Sequence, residues 1–265
     1  MGRAIQLVTG FVTAPGAVLT ALTMAAGDTL AVRSTKVKDG PVHLLTCWTD
    51  SQATGILQIT STRLHDSSRG LRFGTVIGGP SPFLPFRQKQ RLYETDNLTV
   101  QLSGSAVAGD IETACMLLAY EDVTGLEGRF ITPEEVDKRK VHTFTTENTL
   151  SLGTAGGYSG EEAITSEADF FKAGIDYALL GYMVTVECAA VGWRGSDTGN
   201  TRVGGPGNAS LRHVTSEWFL RMSRETGLPC VPVFNANNKA SILIDGVQDE
   251  NGNDPLVTSI WAQLG

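Results

Sequence analysis

Apolar residues along this chain come in short runs broken by Gly, Asn, Asp, Ser and Pro, not in the long stripes of amphipathic helices. The runs TLAVRST (29–35), VHLLTCWT (42–49), GILQITSTRL (55–64), NLTVQLSG (97–104) and IETACMLLAYED (111–122) are rich in β-branched and aromatic residues and read as strands. The last two, joined by the small-residue loop SAVAGD, form the clearest hairpin-like pair. Further on, HTFTTENTLSLG (142–153), DYALLGYMVTVECAAVGW (176–193), VPVFN (231–235), KASILIDG (239–246) and PLVTSIWAQL (255–264) continue the pattern. Prolines within residues 69–86 rule out a central strand there.

Three stretches depart from this β texture. HVTSEWFLRMSRETG (213–227) places Val214, Trp218 and Met222 four residues apart, with Leu211 and Phe219 on the same side, and stops at Gly227. That is the spacing and the stop signal of an α-helix. PEEVDK (133–138) opens on Pro133 with its acids first and its bases last, which predicts a short helix. SEADFFK (166–172), capped by Ser166, predicts another. From Ala4 to Gly27 no residue is charged, but Gln6, Thr9, Gly10, Thr13, Pro15 and Gly16 interrupt the apolar run. An extended arm or first strand fits better than a signal peptide or a membrane helix.

The two halves of the chain echo each other. LTVQLSGSAVAGDIETACMLLAY matches ASILIDGVQDENGNDPLVTSIWAQL in outline, pairing Gly104 with Gly246 at an offset of 142. Upstream, ILQITSTRLHDSSRGLRFGTVIGGP parallels MVTVECAAVGWRGSDTGNTRVGGPG, pairing Gly79 and Pro80 with Gly205 and Pro206 at an offset of 126. The growing offset predicts an insertion of some sixteen residues in the second half, where the long helix falls. Self-similarity of this kind predicts two β modules of roughly 125 residues, each long enough for an eight-stranded sandwich.

Tandem sandwiches in an acidic, cysteine-poor chain, with a helix inserted before the last strand pair of one module, resemble the double jelly-roll major capsid proteins of icosahedral viruses. The resemblance spans most of the chain at the level of architecture and rests on no specific motif. It implies a mainly β fold of two tandem jelly-roll β-sandwiches with one or a few short helices. The corresponding organisation is an N-terminal arm (1–27), a first jelly roll (28–125), a linker (126–140) and a second jelly roll (141–265). It further implies a homotrimer whose six jelly rolls form a pseudo-hexagonal capsomer. Its partners are then neighbouring capsomers, with minor capsid or penton proteins, in a virion assembled in the host cytoplasm. The short loops depart from the larger family members, whose outward towers are absent, and point to a small bacterial, archaeal or bacteriophage representative.

Charge and candidate chemistry narrow the alternatives. The formal net charge is −7, so no broad basic face is expected for sequence-specific nucleic-acid binding. The runs RQKQR (87–91) and KRK (138–140) are short and read as solvated strand ends. Cys47, Cys115, Cys188 and Cys230 form no CxxC pair and sit mostly in apolar runs. They read as small buried hydrophobes in a reducing compartment, not as metal ligands or a disulfide framework. His43, His65, His142 and His213 show no HxH or HExxH spacing. DENGND (249–254) has Asp249, Asn251 and Asn253 at calcium-loop spacing but Asp254 where that loop needs glycine, so a tight turn through Asn251 and Gly252 is expected.

GGYSGE (156–161) puts Glu161 where a nucleophile elbow needs its last glycine, so Ser159 reads as a loop serine. The pairs Glu134–Glu135 and Glu161–Glu162 are sequence neighbours whose side chains point apart. No catalytic, cofactor or metal residues are therefore expected, and no enzyme. VGWRGSDTGNTRVGGPGN (191–208) lacks both phosphate-binding fingerprints and reads as a strand connection whose arginines are candidates for subunit contacts. Whether a membrane underlies the shell is open at this level. The competing function is a secreted carbohydrate-binding sandwich that uses Trp48, Trp193 or Tyr158 as sugar platforms. A β-sandwich enzyme with dispersed residues is a third.

Overall fold

The structure, a computed structural model, describes residues 2–30, 41–61, 64, 69–93, 96–123, 127–151, 153–164, 170–249, 252 and 254–265. It is mainly β, with four antiparallel sheets in two sandwich-like halves and a few short helices. The first half contains β1 (Arg3–Thr13), β2 (Thr20–Ala21), β3 (Thr23–Met24), β4 (Val42–Asp50), β5 (Ile56–Thr60), β6 (Leu71–Gly74), β7 (Gln90–Leu92), β8 (Thr99–Ser103) and β9 (Ile111–Glu121). One sheet runs β3-β1-β9-β4-β7 and the other β2-β8-β5-β6. Apart from the two-residue β3, the strands wind first-last-third-sixth in one sheet and second-seventh-fourth-fifth in the other, which is the jelly-roll order.

The second half repeats that winding. It contains β10 (Phe130–Ile131), α1 (Pro133–Arg139), β11 (Lys140–Thr149), β12 (Glu162–Ala163), β13 (Asp176–Val184), β14 (Cys188–Arg194), β15 (Val203–Gly207), α2 (Arg212–Thr215), α3 (Trp218–Thr226), β16 (Val231–Asn235), β17 (Leu243–Val247) and β18 (Leu256–Leu264). Its sheets are β10-β16-β13-β18-β11 and β12-β17-β14-β15, the same order with β10 added at an edge. Even the irregularities agree. A bulge lies between Leu44 and Thr46 in β4 opposite β9, and another between Leu179 and Gly181 in β13 opposite β18. Both interrupt the third strand of the winding opposite the last.

The ladders correct the sequence matching. Leu71 pairs with Ile59 as Val203 pairs with Trp193, an offset of 132 in place of 126. Gly79 and Pro80 lie beyond β6, whereas Gly205 and Pro206 lie inside β15. Thr99 pairs with Thr60 as Leu243 pairs with Arg194, an offset of 144 in place of 142. Much of that gain falls between β15 and β16, where α2 and α3 sit ahead of the last three strands. The apparent hairpin of 97–104 and 111–122 is also corrected: β8 bonds to β5 and β2, while β9 bonds to β1 and β4 in the opposite sheet. SAVAGD bridges sheets, which alternation cannot reveal because it reports burial and not the bonding partner.

The uncharged N-terminal stretch is the first strand, paired with β9 from Arg3–Glu121 to Thr13–Ile111. Residues 31–35 of the run at 29–35, His65 and most of SEADFFK lie outside the described residues. Thr132 caps α1 in a capping box with Glu135. The helix expected over 213–227 is present as two pieces, α2 and α3, and ends at Gly227 with φ 72°.

The halves stack sheet on sheet. In the first half Ala4 and Val8 of β1, Met116 and Leu118 of β9, and Leu44 of β4 face the core of their own sandwich. The alternate residues Ile5, Leu7, Leu117, Ala119, Leu45 and Trp48 join the core of the second half. The five-stranded sheet is thus buried on both faces. What covers its outer face is the four-stranded sheet of the second half: β14 packs on β4 and β9, β15 on β1, and Trp48 Nε1 donates to Ala189 O at 2.8 Å.

Candidate functional site

The stacked halves point the same way. Within the first half, Gly16 N donates to Ser105 O at 2.8 Å and Ser51 bridges to Gly78, so the β1–β2, β4–β5, β6–β7 and β8–β9 connections share one end. Within the second, Gly156 N donates to Gln248 O at 3.2 Å and Thr185 N to Leu256 O at 3.1 Å, gathering the equivalent connections. These two ends adjoin. Asn208 Nδ2 donates to Pro80 O at 3.0 Å, Gly79 lies against the Glu187 carboxylate, and Gly156 lies against Phe11 with no room for a Cβ.

The seam is closed by a chain of polar groups. Thr201 Oγ1 donates to Ile5 O at 3.0 Å, and Leu7 N donates to Arg202 O at 2.7 Å. Asp28 accepts from Thr9 N at 2.7 Å and from the Tyr158 hydroxyl at 2.8 Å. The Arg202 guanidinium lies 3.8 Å above the Tyr158 ring and donates through Nε to Asp245 Oδ2 at 2.6 Å. Glu161 pairs with Arg194 and, at 3.6 Å, with Arg202. Burial pushes the Asp28 carboxyl above its usual range, and pushes Asp245, only 2% exposed, up to about 6. Asp245 Oδ1 has no hydrogen-bond partner among the described residues.

The sequence candidates are dispersed by this arrangement. The arginines of the 191–208 connection, Arg194 and Arg202, are engaged within the chain at the seam and are not left for subunit contacts. Ser159 Oγ donates to Gly160 O and accepts from Gly246 N, pinning its loop to β17. Trp48 and Trp193 are fully buried, and Tyr158 lies under Arg202, so none offers an open face to a sugar. The four cysteines are free and buried. His43 Nε2 lies 3.3 Å from Glu121 Oε1, and burial holds its imidazole below the usual range. No metal-binding cluster is present among the described residues. In the 249–254 turn Gly252 has φ 69°, while Asn251 and Asn253 lie outside the described residues. No helix among the described residues is long and apolar enough to cross a membrane.

A cleft of about 230 Å³ opens between the β6–β7 connection and α3, walled by Pro82, Leu84, Leu211, Val214 and Trp218 with Arg221 and Glu225 at its mouth. Arg221 and Glu225 pair with each other at 2.6 Å.

Two sheet faces lie on the far sides of the stacked halves. In the first half Leu57, Ile59, Val100 and Leu102 enter the core, so Gln58, Thr60, Thr99 and Gln101 lie on the outer face of the four-stranded sheet with Arg72 of β6; Arg72 and Thr99 are exposed there, Gln101 is half-buried, and Gln58 and Thr60 are buried. On β11 of the second half, Thr146 bonds the buried Trp261, so Thr143, Thr145 and Glu147 face outward beside Thr258 and Ile260 of β18. Among the described residues, no sheet packs over these two faces as the sheets pack at the seam.

Strand order and stacking together define a double jelly-roll protein. No family model matches the chain, and no curated protein is significantly similar to it. Among solved structures, it is similar to the PBSX exported protein XepA at 11% identity, with 98% of this chain and 86% of that one covered and a TM-score of 0.27. It is similar to a chain of Sulfolobus Turreted Icosahedral Virus at 7% identity, with 100% and 80% covered and a TM-score of 0.22. A structure titled for the triple jelly roll fold and turret assembly in an archaeal virus matches at 8% identity, 100% and 80% coverage, and a TM-score of 0.22. At these scores the likenesses bear no weight on function. The jelly-roll assignment rests on the strand order of the chain itself.

Proposed function

We propose that this chain is a capsid subunit without a catalytic step of its own. Copies associate head to tail into trimers of pseudo-hexagonal outline, which tile an icosahedral shell in a virion. The observation that supports this most is the stacking polarity. The second half sits on the first with like ends together, so repeating the operation relates neighbours by rotation about an axis along the strands. A heterologous contact of that kind closes into a ring when its rotation divides a full turn, as six jelly rolls about one axis would. The faces that the next copy needs, the four-stranded sheet of the first half and the five-stranded sheet of the second, are the ones that no other sheet of the described residues covers. Minor capsid or penton proteins would fill positions that the ring geometry cannot. The sugar-binding reading loses its support, because its aromatic platforms are buried or covered.

Electron microscopy of the concentrated protein tests the proposal: three-fold particles with six-sided outline, or shells, are expected. Isolated single-chain particles would count against it.

A further inference from the structure

The seam inside the chain specifies how the two open faces would meet. The geometry points to a contact between copies in which Arg72 of one copy pairs with Glu147 of the next, a deduction that rests on the head-to-tail assembly proposed above.

The repeat supplies the correspondence. Arg72 pairs with Gln58 as Gly204 pairs with Gly192, and both rungs lie one residue in from the start of the fifth strand of the winding. Arg72 therefore occupies the place of Gly204. On the other sheet the two bulges set the register: Leu117 opposes Thr46 just past one, and Ile260 opposes Gly181 just past the other. Leu117 pairs with Leu7 and Ile260 with Thr145, so Leu7 corresponds to Thr145. Two residues on, Thr9 corresponds to Glu147.

At the seam the chain 201–204 runs alongside β1. Thr201 bonds Ile5 and Arg202 bonds Leu7, so the two segments advance in the same direction, with Gly204 beyond Arg202 and Thr9 beyond Leu7. The same packing between copies carries Arg72 towards Glu147.

The charges suit that meeting. Arg72 is the only charged residue in β2, β5, β6 and β8, and Glu147 the only carboxylate in β11 and β18. Both are exposed, and neither has an ion-pair or side-chain hydrogen-bond partner among the described residues. The rest of the two faces is threonine, glutamine and half-buried aliphatic residues, with Gln58 and Thr60 buried in the single chain, a composition that tolerates water and can exclude it when paired. Opposite charges across such a contact fix its register, and like charges there oppose association.

Sedimentation velocity over a concentration series, with the wild type, R72E, E147R and the double variant R72E/E147R, tests the pairing. Each single variant is expected to weaken self-association by roughly tenfold or more, and the double variant to restore it. Because both positions are exposed on strand faces, the thermal unfolding midpoints should match the wild type; R72Q and E147Q give milder versions of the same test. If the wild type associates and the single variants associate equally well, or the double variant stays as weak as the singles, the pairing is overturned while assembly stands. A wild type that stays monomeric at every concentration overturns both.

Discussion

At the residue scale, the seam carries carboxylates whose ionisation burial opposes, and this sets the sign of a pH effect. Asp245 is raised in the folded chain from 3.8 to about 6. Between those values the folded state holds a proton that the unfolded state has released, so this group's contribution favours folding most below 3.8 and is lost as pH rises to about 6. A difference of this size corresponds to about 3 kcal/mol at most. Asp28, also raised, acts in the same direction. Asp176 is held low, chiefly by its hydrogen bonds from Arg129, so it has the opposite sign and acts below its unfolded value. The expected outcome is that D245N flattens the fall in stability between pH 4 and 6.5, read from urea unfolding at several pH values. An unchanged slope in D245N would show that Asp245 does not titrate there. Little of this was legible in the sequence. Arg194 and Arg202 stood out, but their acids are 33 or more residues away in the chain, and only the fold brings Glu161 and Asp245 to them.

At the scale of elements, strands were more legible than their pairings. The run 42–49 is β4 and the run 255–264 is β18 to within a residue or two, because β-branched runs between turn residues are a local signal. The hairpin reading of β8 and β9 failed because a jelly roll sends consecutive strands to opposite sheets. The single helix of 213–227 became two because the chain turns at Ser216 and Glu217, letting Trp218 Nε1 donate to Gly204 O at 2.9 Å and its ring meet Trp48 and Phe86. The helix stop was read correctly, and it gives a clean test. Gly227 has φ 72° and open space where a Cβ would go, so the cost of G227A is conformational strain alone, about 1 kcal/mol. Chemical denaturation should show that loss, and a variant as stable as the wild type would contradict it.

At the scale of the molecule, the tandem sandwich architecture was legible from the repeat before any contact was known, although the glycine-proline match that suggested it was out of register. The stacking of one half on the other was not legible. Two-sided burial of β4 and β9 shows in their near-continuous apolar runs, but a sequence does not say which surface covers the second face. That stacking is what leaves, among the described residues, a four-stranded face at one side and a five-stranded face at the other with no second sheet over them. Light scattering of the purified chain over a wide concentration range tests the resulting account most directly. It predicts a species of three times the 28.2 kDa chain mass, growing into larger assemblies as concentration rises; a mass of one chain at every concentration would contradict it.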